Sequence, residues 1–138
     1  RQPIMSEFNT AGYDDLRAYL TSASGWSHVA LVDAGGTIET VIDIANDARA
    51  SWGDPTSNPV TLTLDLAGGD ADLSTPVELA QSALYTAGGE ASAGDTFSNT
   101  SPAHDDSLTD SNGDPANAIV GGNDSLNVDH TVELPEVV

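Results

Sequence analysis

Alternating apolar and polar residues recur along this chain and predict a protein made mainly of β-strands. The clearest run is VTLTLDL, whose apolar face consists of Val60, Leu62, Leu64 and Leu66. Residues 28–33 and the segment TIETVIDI after them alternate in the same way around a Gly-Gly pair, and this arrangement predicts a β-hairpin. The last run, SLNVDHTVEL, predicts a strand that returns to pair beside an early strand.

Three further segments have weaker patterns. Residues 49–52 predict a short third strand. The segment VELAQSALYTA, which starts at Val77, fits neither the helical nor the strand period perfectly, and we interpret it as a strand with a bulge. Ahead of the strands, Tyr13, Leu16 and Leu20 recur at helical spacing and predict one short amphipathic helix.

About six strands with one short helix at the front predict a mainly β fold, either an antiparallel β-sandwich or a small barrel. Its core is expected to combine Trp52 with three apolar strand faces, namely Ile38, Ile42 and Ile44, then Val60, Leu62, Leu64 and Leu66, then Val128, Val132 and Leu134. A chain of 138 residues predicts one domain over residues 1–138, with an N-terminal arm at residues 1–9. Residues 88–123 are rich in Gly, Ser, Asp and Asn, and they predict a long acidic surface loop.

The chain carries 22 acidic residues against three arginines and no lysine, which gives a net charge of −19. Charges of one sign repel one another within a Debye length of about 10 Å in ordinary buffer, and this length shrinks to about 3 Å at 1 M salt. The composition is similar to that of haloarchaeal proteins in general and favours a protein that works in brine. An acidic disordered region is the alternative interpretation. The hydrophobic content of 38% and the regular alternation favour a folded domain.

Composition also excludes several classes of function. Because the chain has no cysteine, it contains no disulfide framework, zinc ribbon or thiol nucleophile. Nucleic acid is not expected as a partner, since binding to phosphates relies on lysine and arginine. No window of about 18 apolar residues is present, so we expect a soluble chain without a membrane partner. The chain starts at Arg1 rather than at Met, and either a cleaved leader or retained upstream sequence would explain this start.

The residue pattern does not predict an enzyme. A hydrolytic triad would need a nucleophile on a tight turn, and the chain has no G-x-S-x-G segment. Ser27 and His28 are neighbours on a predicted strand, where successive side chains point to opposite faces, so a catalytic pair is not expected there. A metal site would require His28, His104 and His130 to meet, but two of them lie on separate strands and one lies in the loop. We interpret them as surface or strand-face histidines and expect no cofactor.

One segment of the predicted loop, DSNGD, has the spacing of a cation site. Asp110, Asn112 and Asp114 place oxygen atoms at positions i, i+2 and i+4, as the start of a calcium loop does. The remainder of the EF-hand pattern, including its central glycine and its bidentate glutamate, is missing. Calcium or another hard cation is therefore one hypothesis, and a solvated acidic loop is the other. Asn99 and Asn123 start N-x-S sequons in or beside the same loop, and glycosylation of either is a further hypothesis.

The order of several short motifs along residues 12–85 resembles small β-rich virion proteins of tailed viruses. These motifs are GYDDLRAYL, W-x-H-VALVD-x-GG-T, R-x-x-W, VTLTLDL, GGDAD and SALY. The resemblance includes no catalytic motif, does not extend into the loop after Gly88, and assigns no functional residue. It implies a structural part of a halophilic virion: a capsid decoration or turret protein on the major capsid protein, or a tail component. It also implies a homo-oligomer, with a trimer favoured.

A second hypothesis comes from the residues themselves. A compact acidic β-domain would also suit an extracellular or cell-surface binding module of a halophile. In either case, partner contacts are expected from large apolar residues in polar, weakly patterned segments, namely Ile4, Phe8, Tyr13 and Phe97. For Phe8 and Phe97, the alternative is that they cover the ends of the sandwich.

Overall fold

The computed structural model describes residues 8–135, and these residues form two open antiparallel β-sheets and one helix. The helix is α1 (Thr10–Leu20). The strands, in chain order, are β1 (Trp26–Asp33), β2 (Ile38–Asp43), β3 (Ala50–Trp52), β4 (Val60–Ala67), β5 (Val77–Thr86), β6 (His104–Ser107), β7 (Ala118–Val120) and β8 (Ser125–Val132). Neither sheet of this described part closes into a barrel, so the mainly β fold is confirmed and its architecture is the sandwich.

The first sheet has the strand order β2-β1-β5-β6, and β7 also pairs with β5. β1 and β2 form the predicted hairpin, and β5 is the predicted strand with an irregular register against β1. The second sheet has the order β3-β4-β8. Here β8 pairs with β4 without a register shift, from Val60 opposite Val132 to Ala67 opposite Ser125. The predicted return of the last strand to an early strand is therefore confirmed.

The sandwich core lies between the two sheets and contains most of the predicted core residues. The buried ones are the four apolar residues of β4 together with Ile42, Val128 and Val132. Ile44 and Trp52 are partly buried and pack against this core. Leu134 follows β8 and is half-buried. The predicted strand faces therefore share one core, apart from Ile38 and Leu134.

Ile38 departs from the predicted core because it faces the outer side of the first sheet. There it belongs to a smaller cluster that includes Val32. Leu31 pairs with Thr40, whereas the next residue, Val32, pairs with Ile38, so β2 has an extra residue at this point. An extra residue reverses the side to which the following side chains point. Strict alternation along β2 therefore gives the wrong face for Ile38.

Residues 88–123 differ from the predicted surface loop. The segment contains β6 and β7, which both pair with β5, and it buries Leu108 and Val120 in the sandwich core. Edge strands of four and three residues need few large apolar side chains, so composition alone does not reveal them. Before β6, the segment lies over the outer face of the first sheet, where Phe97 packs against the smaller cluster.

The predicted helix is present and ends at Leu20, and Gly25 then lets the chain turn back beneath its last turn. A Cβ atom at Gly25 would lie 2.1 Å from the carbonyl oxygen of Tyr19, so only glycine fits there. β1 begins at the next residue, which places α1 directly at the start of the first sheet. Among residues 8–135, no helix combines the length and apolar character needed to cross a membrane.

Candidate functional site

α1 leaves a row of apolar side chains exposed, and we name this row the α1 stripe: Phe8, Leu16 and Tyr19. These residues are 57%, 36% and 59% exposed, respectively. Residues three or four positions apart share one face of a helix, so Leu16 and Tyr19 continue the line that Phe8 starts just before α1. Phe8, Gly12, Asp15 and Leu16 line a shallow hollow of about 210 Å³ on this face. An exposed row of aromatic and aliphatic side chains is typical of a protein–protein contact.

The stripe is exposed because α1 turns a different face to the sandwich. Arg17 is completely buried, although arginine is almost never buried without partners. Its Nε donates a hydrogen bond of 2.7 Å to the Pro55 carbonyl oxygen, and its guanidinium group forms an ion pair of 2.6 Å with Asp14. Tyr13 is also buried, and its hydroxyl donates to the Pro135 carbonyl oxygen at 3.3 Å. These bonds hold α1 against two other segments of the chain.

The predicted amphipathic face of the helix is correct for Tyr13 but wrong for Leu16. Leu16 is exposed, and Arg17 takes the buried position beside Tyr13. Arg17 follows Tyr13 by four residues, so the two share one helix face, and it is one of only three arginines in the chain. These two facts are the sequence signal for a buried Arg17. The exposure of Tyr19, which carries much of the α1 stripe, was not predicted.

The predicted partner contacts lie in different environments. Ile4 is outside the described residues. Phe8 is exposed, and its ring meets the ring of Tyr13 edge-on, with centroids 5.6 Å apart. Because Tyr13 is buried, it supports Phe8 rather than offering a surface of its own. Phe97 is half-buried against the smaller cluster, so it covers the outer face of the first sheet rather than an end of the sandwich.

The DSNGD segment forms the tight turn between β6 and β7. Asp110 Oδ1 accepts hydrogen bonds from the backbone amides of Asn112 and Asp114 at 2.9 and 3.1 Å. Gly113 has a φ of 82°, a left-handed conformation that favours glycine. One carboxylate oxygen of Asp110 thus closes the turn. Within the described part of the chain, no group of three or more His, Cys, Asp or Glu residues is placed to hold a metal ion, and the cation site stays a prediction.

Two of the three histidines meet inside the sandwich. His130 on β8 is fully buried, and its Nδ1 lies 2.6 Å from Ser82 Oγ on β5. Its Nε2 lies 2.8 Å from Nδ1 of His104 on β6. His104 in turn stacks on Trp26, with ring centroids 5.9 Å apart. This hydrogen-bonded row connects the second sheet to two strands of the first, whereas His28 lies apart from it and contacts Ser27 instead.

His130 and Ser82 lie as close as a catalytic pair, but their surroundings do not suit catalysis. Burial, and to a lesser extent the neighbouring His104, lower the pKa of His130 to about 3. A general base works best when its pKa lies near the working pH. The Ser82 side chain is also buried, so a substrate does not reach its hydroxyl. The row therefore satisfies polar groups within the core.

Ser27 and His28 make a contact that strict alternation does not allow. Ser27 Oγ lies 2.6 Å from His28 Nδ1. The register of β1 against β5 shifts between Trp26 and His28 and leaves Ser27 outside the pairing. Such an irregularity re-aims a side chain, so the two neighbours do not point to opposite faces. Ser27 is buried, and its hydroxyl is therefore not open to a substrate.

Arg49 joins three carboxylates from two loops. Its guanidinium group lies 2.7 Å from Asp47, 3.2 Å from Asp70 and 2.8 Å from Asp72. The Thr40 hydroxyl also donates to Asp72, at 2.6 Å. The hydrogen bond from Arg49 is the largest of the effects that lower the pKa of Asp72 to about 2. The cluster thus ties the loop after β2 to the loop after β4, a structural role.

Comparisons of the chain with protein-family models, with curated proteins and with solved structures give no match. A functional proposal therefore rests on the described residues. Among the features above, the α1 stripe is open to solvent, whereas the side chains of Ser82 and His130 are buried.

Replacement of His130 is expected to change how stability depends on pH. The pKa of His130 is about 3 in the folded protein, whereas an unfolded histidine titrates near 6.5. Below pH 6.5 the unfolded chain binds a proton that folded His130 does not bind, so the free energy of unfolding falls by about 1.4 kcal/mol per pH unit. This contribution is fully present above pH 6.5 and is lost progressively down to the folded pKa. His130→Gln should remove it.

Urea unfolding at constant molar salt measures this effect. Between about pH 7 and about pH 5, the wild-type protein should lose about 2 kcal/mol more stability than His130→Gln. Parallel pH dependences of the two proteins would contradict the prediction. A titration of the histidine ring protons by NMR tests the same point in the wild type, because the His130 signals should stay unchanged between about pH 8 and about pH 5.

Proposed function

We propose that this protein is a non-enzymatic structural protein of a halophilic virus particle, which decorates or stabilises the capsid by docking on the major capsid protein. The observation that carries the proposal is the α1 stripe. Phe8 and Tyr19 are each more than half exposed, on a chain whose net charge is −19. Large aromatic residues at the centre of an interface contribute much of its binding energy.

An apolar contact suits association in brine. At 1 M salt the Debye length is about 3 Å, so attraction between exposed charges contributes little to docking. The same screening weakens the repulsion between two acidic proteins, and salts that are excluded from protein surfaces strengthen apolar burial. The contribution of the α1 stripe to binding therefore increases with salt, whereas the contribution of contacts through the surrounding carboxylates decreases.

The stripe is also held in place before any partner binds. Arg17 and Tyr13 bond α1 to the Pro55 and Pro135 carbonyl oxygens. Gly25 keeps the chain close beneath the last helical turn. A rigid anchor loses little conformational entropy on binding, so more of the contact energy contributes to affinity. This support favours docking over a loosely attached helix.

The location of the protein tests the proposal directly. Antibodies against the recombinant domain should label the surface of virus particles purified from halophile lysates, as seen by immunogold electron microscopy. Labelling of the cell envelope without labelling of particles would contradict the proposal and favour the extracellular or cell-surface binding module. Labelling confined to tails would favour a tail component instead.

Sedimentation in about 3 M KCl tests the assembly state that the proposal includes. A symmetric homo-oligomer is expected, with a trimer favoured, since most soluble homo-oligomers have closed point-group symmetry. A monomer would count against the virion role and favour the binding module.

Removal of the aromatic anchors should weaken particle binding without unfolding the domain. The double variant Phe8→Ala/Tyr19→Ala is expected to lose at least about tenfold in affinity for labelled particles, since each truncated anchor typically contributes more than about 1 kcal/mol. Ile119→Ala is the matched control, because Ile119 is 74% exposed and lies on β7 rather than on α1. Cosedimentation in molar salt measures binding, and thermal melts monitor the fold. A large fall in melting temperature of the double variant would assign these residues to the packed interior instead.

A further inference from the structure

β8 is the longest sheet edge that the described chain leaves open. One side of β8 pairs with β4 from Ser125 to Val132, and no backbone hydrogen bond among residues 8–135 reaches its other side. The outer edge of β2, by contrast, is bonded at its start by Gly94 and Asp95. β3, β6 and β7 have only three or four residues each. β8 has no proline, lysine or bulge, which are three features that protect long edges, and Asp129 is its one charged residue.

A groove of about 460 Å³ runs along this open edge, and we name it the β8 groove. One wall is formed by residues 126–129 of β8, and the other by the two arms of the β6–β7 turn, residues 108–111 and 116–118. Successive residues of a strand point to opposite faces. Both the buried Val128 and the exposed Asp129 line the groove, so it follows the edge of β8 and not one face of its sheet.

The groove has an apolar base and an acidic rim. Leu108 and Val128 are buried at its base, whereas Asp110 and Asp129 are exposed at its rim. None of the residues that line the groove is a lysine, arginine or histidine. Asp129 lies opposite Thr63 on β4, and the Thr63 hydroxyl donates to it at 3.3 Å. The rim carboxylates therefore face solvent with no cation of the groove beside them.

We propose that the β8 groove binds an extended peptide segment of a partner protein, which adds to β8 as a further strand and places lysine or arginine side chains at the acidic rim. Addition of a strand to a sheet edge draws its affinity from main-chain hydrogen bonds, and alternate side chains supply specificity. Successive side chains of the added strand point to opposite sides. Those on one side would cover Leu108 and Val128, and those on the other side would lie near Asp110 or Asp129. The rim charge complements cations, which selects a basic segment over an acidic one.

This binding surface is separate from the α1 stripe and does not depend on the virion role. Main-chain hydrogen bonds and apolar contact persist in molar salt, whereas the preference for basic side chains is screened. Binding of a basic strand should therefore weaken but remain detectable as salt increases, and its advantage over an acidic strand should shrink.

The experiment uses the full chain and three capped hexapeptides. Ac-KVKVKV-NH₂ has the proposed chemistry, Ac-EVEVEV-NH₂ reverses its charge, and Ac-KPKPKP-NH₂ keeps the charge but lacks the main-chain donors at alternate positions. Amide chemical shifts measured by NMR in about 0.5 M and about 3 M KCl report the site of binding. Ac-KVKVKV-NH₂ should shift the signals of residues 126–129 and 108–111 first. The proline peptide should bind at least about tenfold more weakly at both salt concentrations, whereas the acidic peptide should do so in about 0.5 M KCl and by a smaller factor in about 3 M KCl.

Two variants with the same change in net charge separate the groove from general attraction to an acidic protein. In about 0.5 M KCl, Asp129→Lys should weaken binding of Ac-KVKVKV-NH₂ by about tenfold, whereas Glu90→Lys, at an exposed position away from the groove, should weaken it less than about twofold. Equal effects of the two variants would overturn the proposal, as would binding of the proline peptide with the affinity of Ac-KVKVKV-NH₂. Shifts in these residues that depend on protein concentration without peptide would identify a second copy as the occupant and would also overturn it. Contacts from residues 1–7 to β8 in the free protein would also overturn the proposal, because the chain itself would then occupy the edge.

Discussion

Below roughly a few hundred millimolar salt, the domain is expected to loosen or lose its fold. The chain has 22 acidic residues and three arginines. In the described part, Arg17 and Arg49 contact Asp14, Asp47, Asp70 and Asp72. Most of the remaining carboxylates therefore depend on dissolved ions for screening. Their repulsion opposes the compact state, because unfolding moves like charges apart.

Thermal melts from about 0.1 to about 3 M KCl measure this dependence, and the melting temperature should rise strongly across the range. A melting temperature that stays flat would contradict the prediction. The triple variant Asp15→Asn/Glu90→Gln/Glu133→Gln serves as a control, since all three side chains are exposed. It should need less salt than the wild type to reach the same melting temperature, because it removes three like charges.

Strand pairing was predictable where the apolar pattern is long and regular. β4 alternates over its whole length, and β8 has a matching apolar face, so both strands and their place in the core follow from the sequence. Ile38 shows where this reasoning fails. A single extra residue in β2 reverses the face, and nothing in the alternation of the sequence marks the position of that residue. Short edge strands such as β6 were not predicted for a different reason: they are stabilised by pairing with β5 rather than by an apolar pattern of their own.

The candidate site was less predictable, because exposure depends on which partners a polar side chain finds. A helix with Tyr13, Leu16 and Leu20 at helical spacing predicts that these residues face the core. The structure instead buries Arg17, because the Pro55 carbonyl oxygen and Asp14 provide bonds for its guanidinium group. Asp14 lies three residues before Arg17 on the same helix, whereas Pro55 lies 38 residues after it, so the second contact depends on the tertiary fold. The exposed α1 stripe is a consequence of that contact.

The histidine row and the β8 groove depend on tertiary structure in the same way. His104 and His130 are 26 residues apart and come from opposite sheets. The composition of residues 88–123 predicted a surface loop around His104, so the residue pattern offered no reason to place it beside His130. The open edge of β8 could not be predicted either, because the sequence of a strand does not show which of its two edges pairs with a neighbouring strand.

Leu64→Ala is expected to destabilise the domain by about 2 to 5 kcal/mol, because the change removes a large side chain from a packed interior. Leu64 is fully buried in the middle of the sandwich core. On its own sheet it lies between Ala50 on β3 and Val128 on β8. Strands on both sides hold the backbone of β4 in place, which limits how far the cavity can collapse and favours the upper part of that range.

Urea unfolding in molar salt gives the difference in free energy between Leu64→Ala and the wild type. Ile119→Ala is the control for loss of an aliphatic side chain, and it should change stability by less than about 0.5 kcal/mol because Ile119 is 74% exposed. A loss below about 1 kcal/mol for Leu64→Ala, or equal losses for the two variants, would show that β4 does not form the centre of the core. A loss confined to Leu64→Ala would instead show that packing between the two sheets contributes strongly to the stability of the fold.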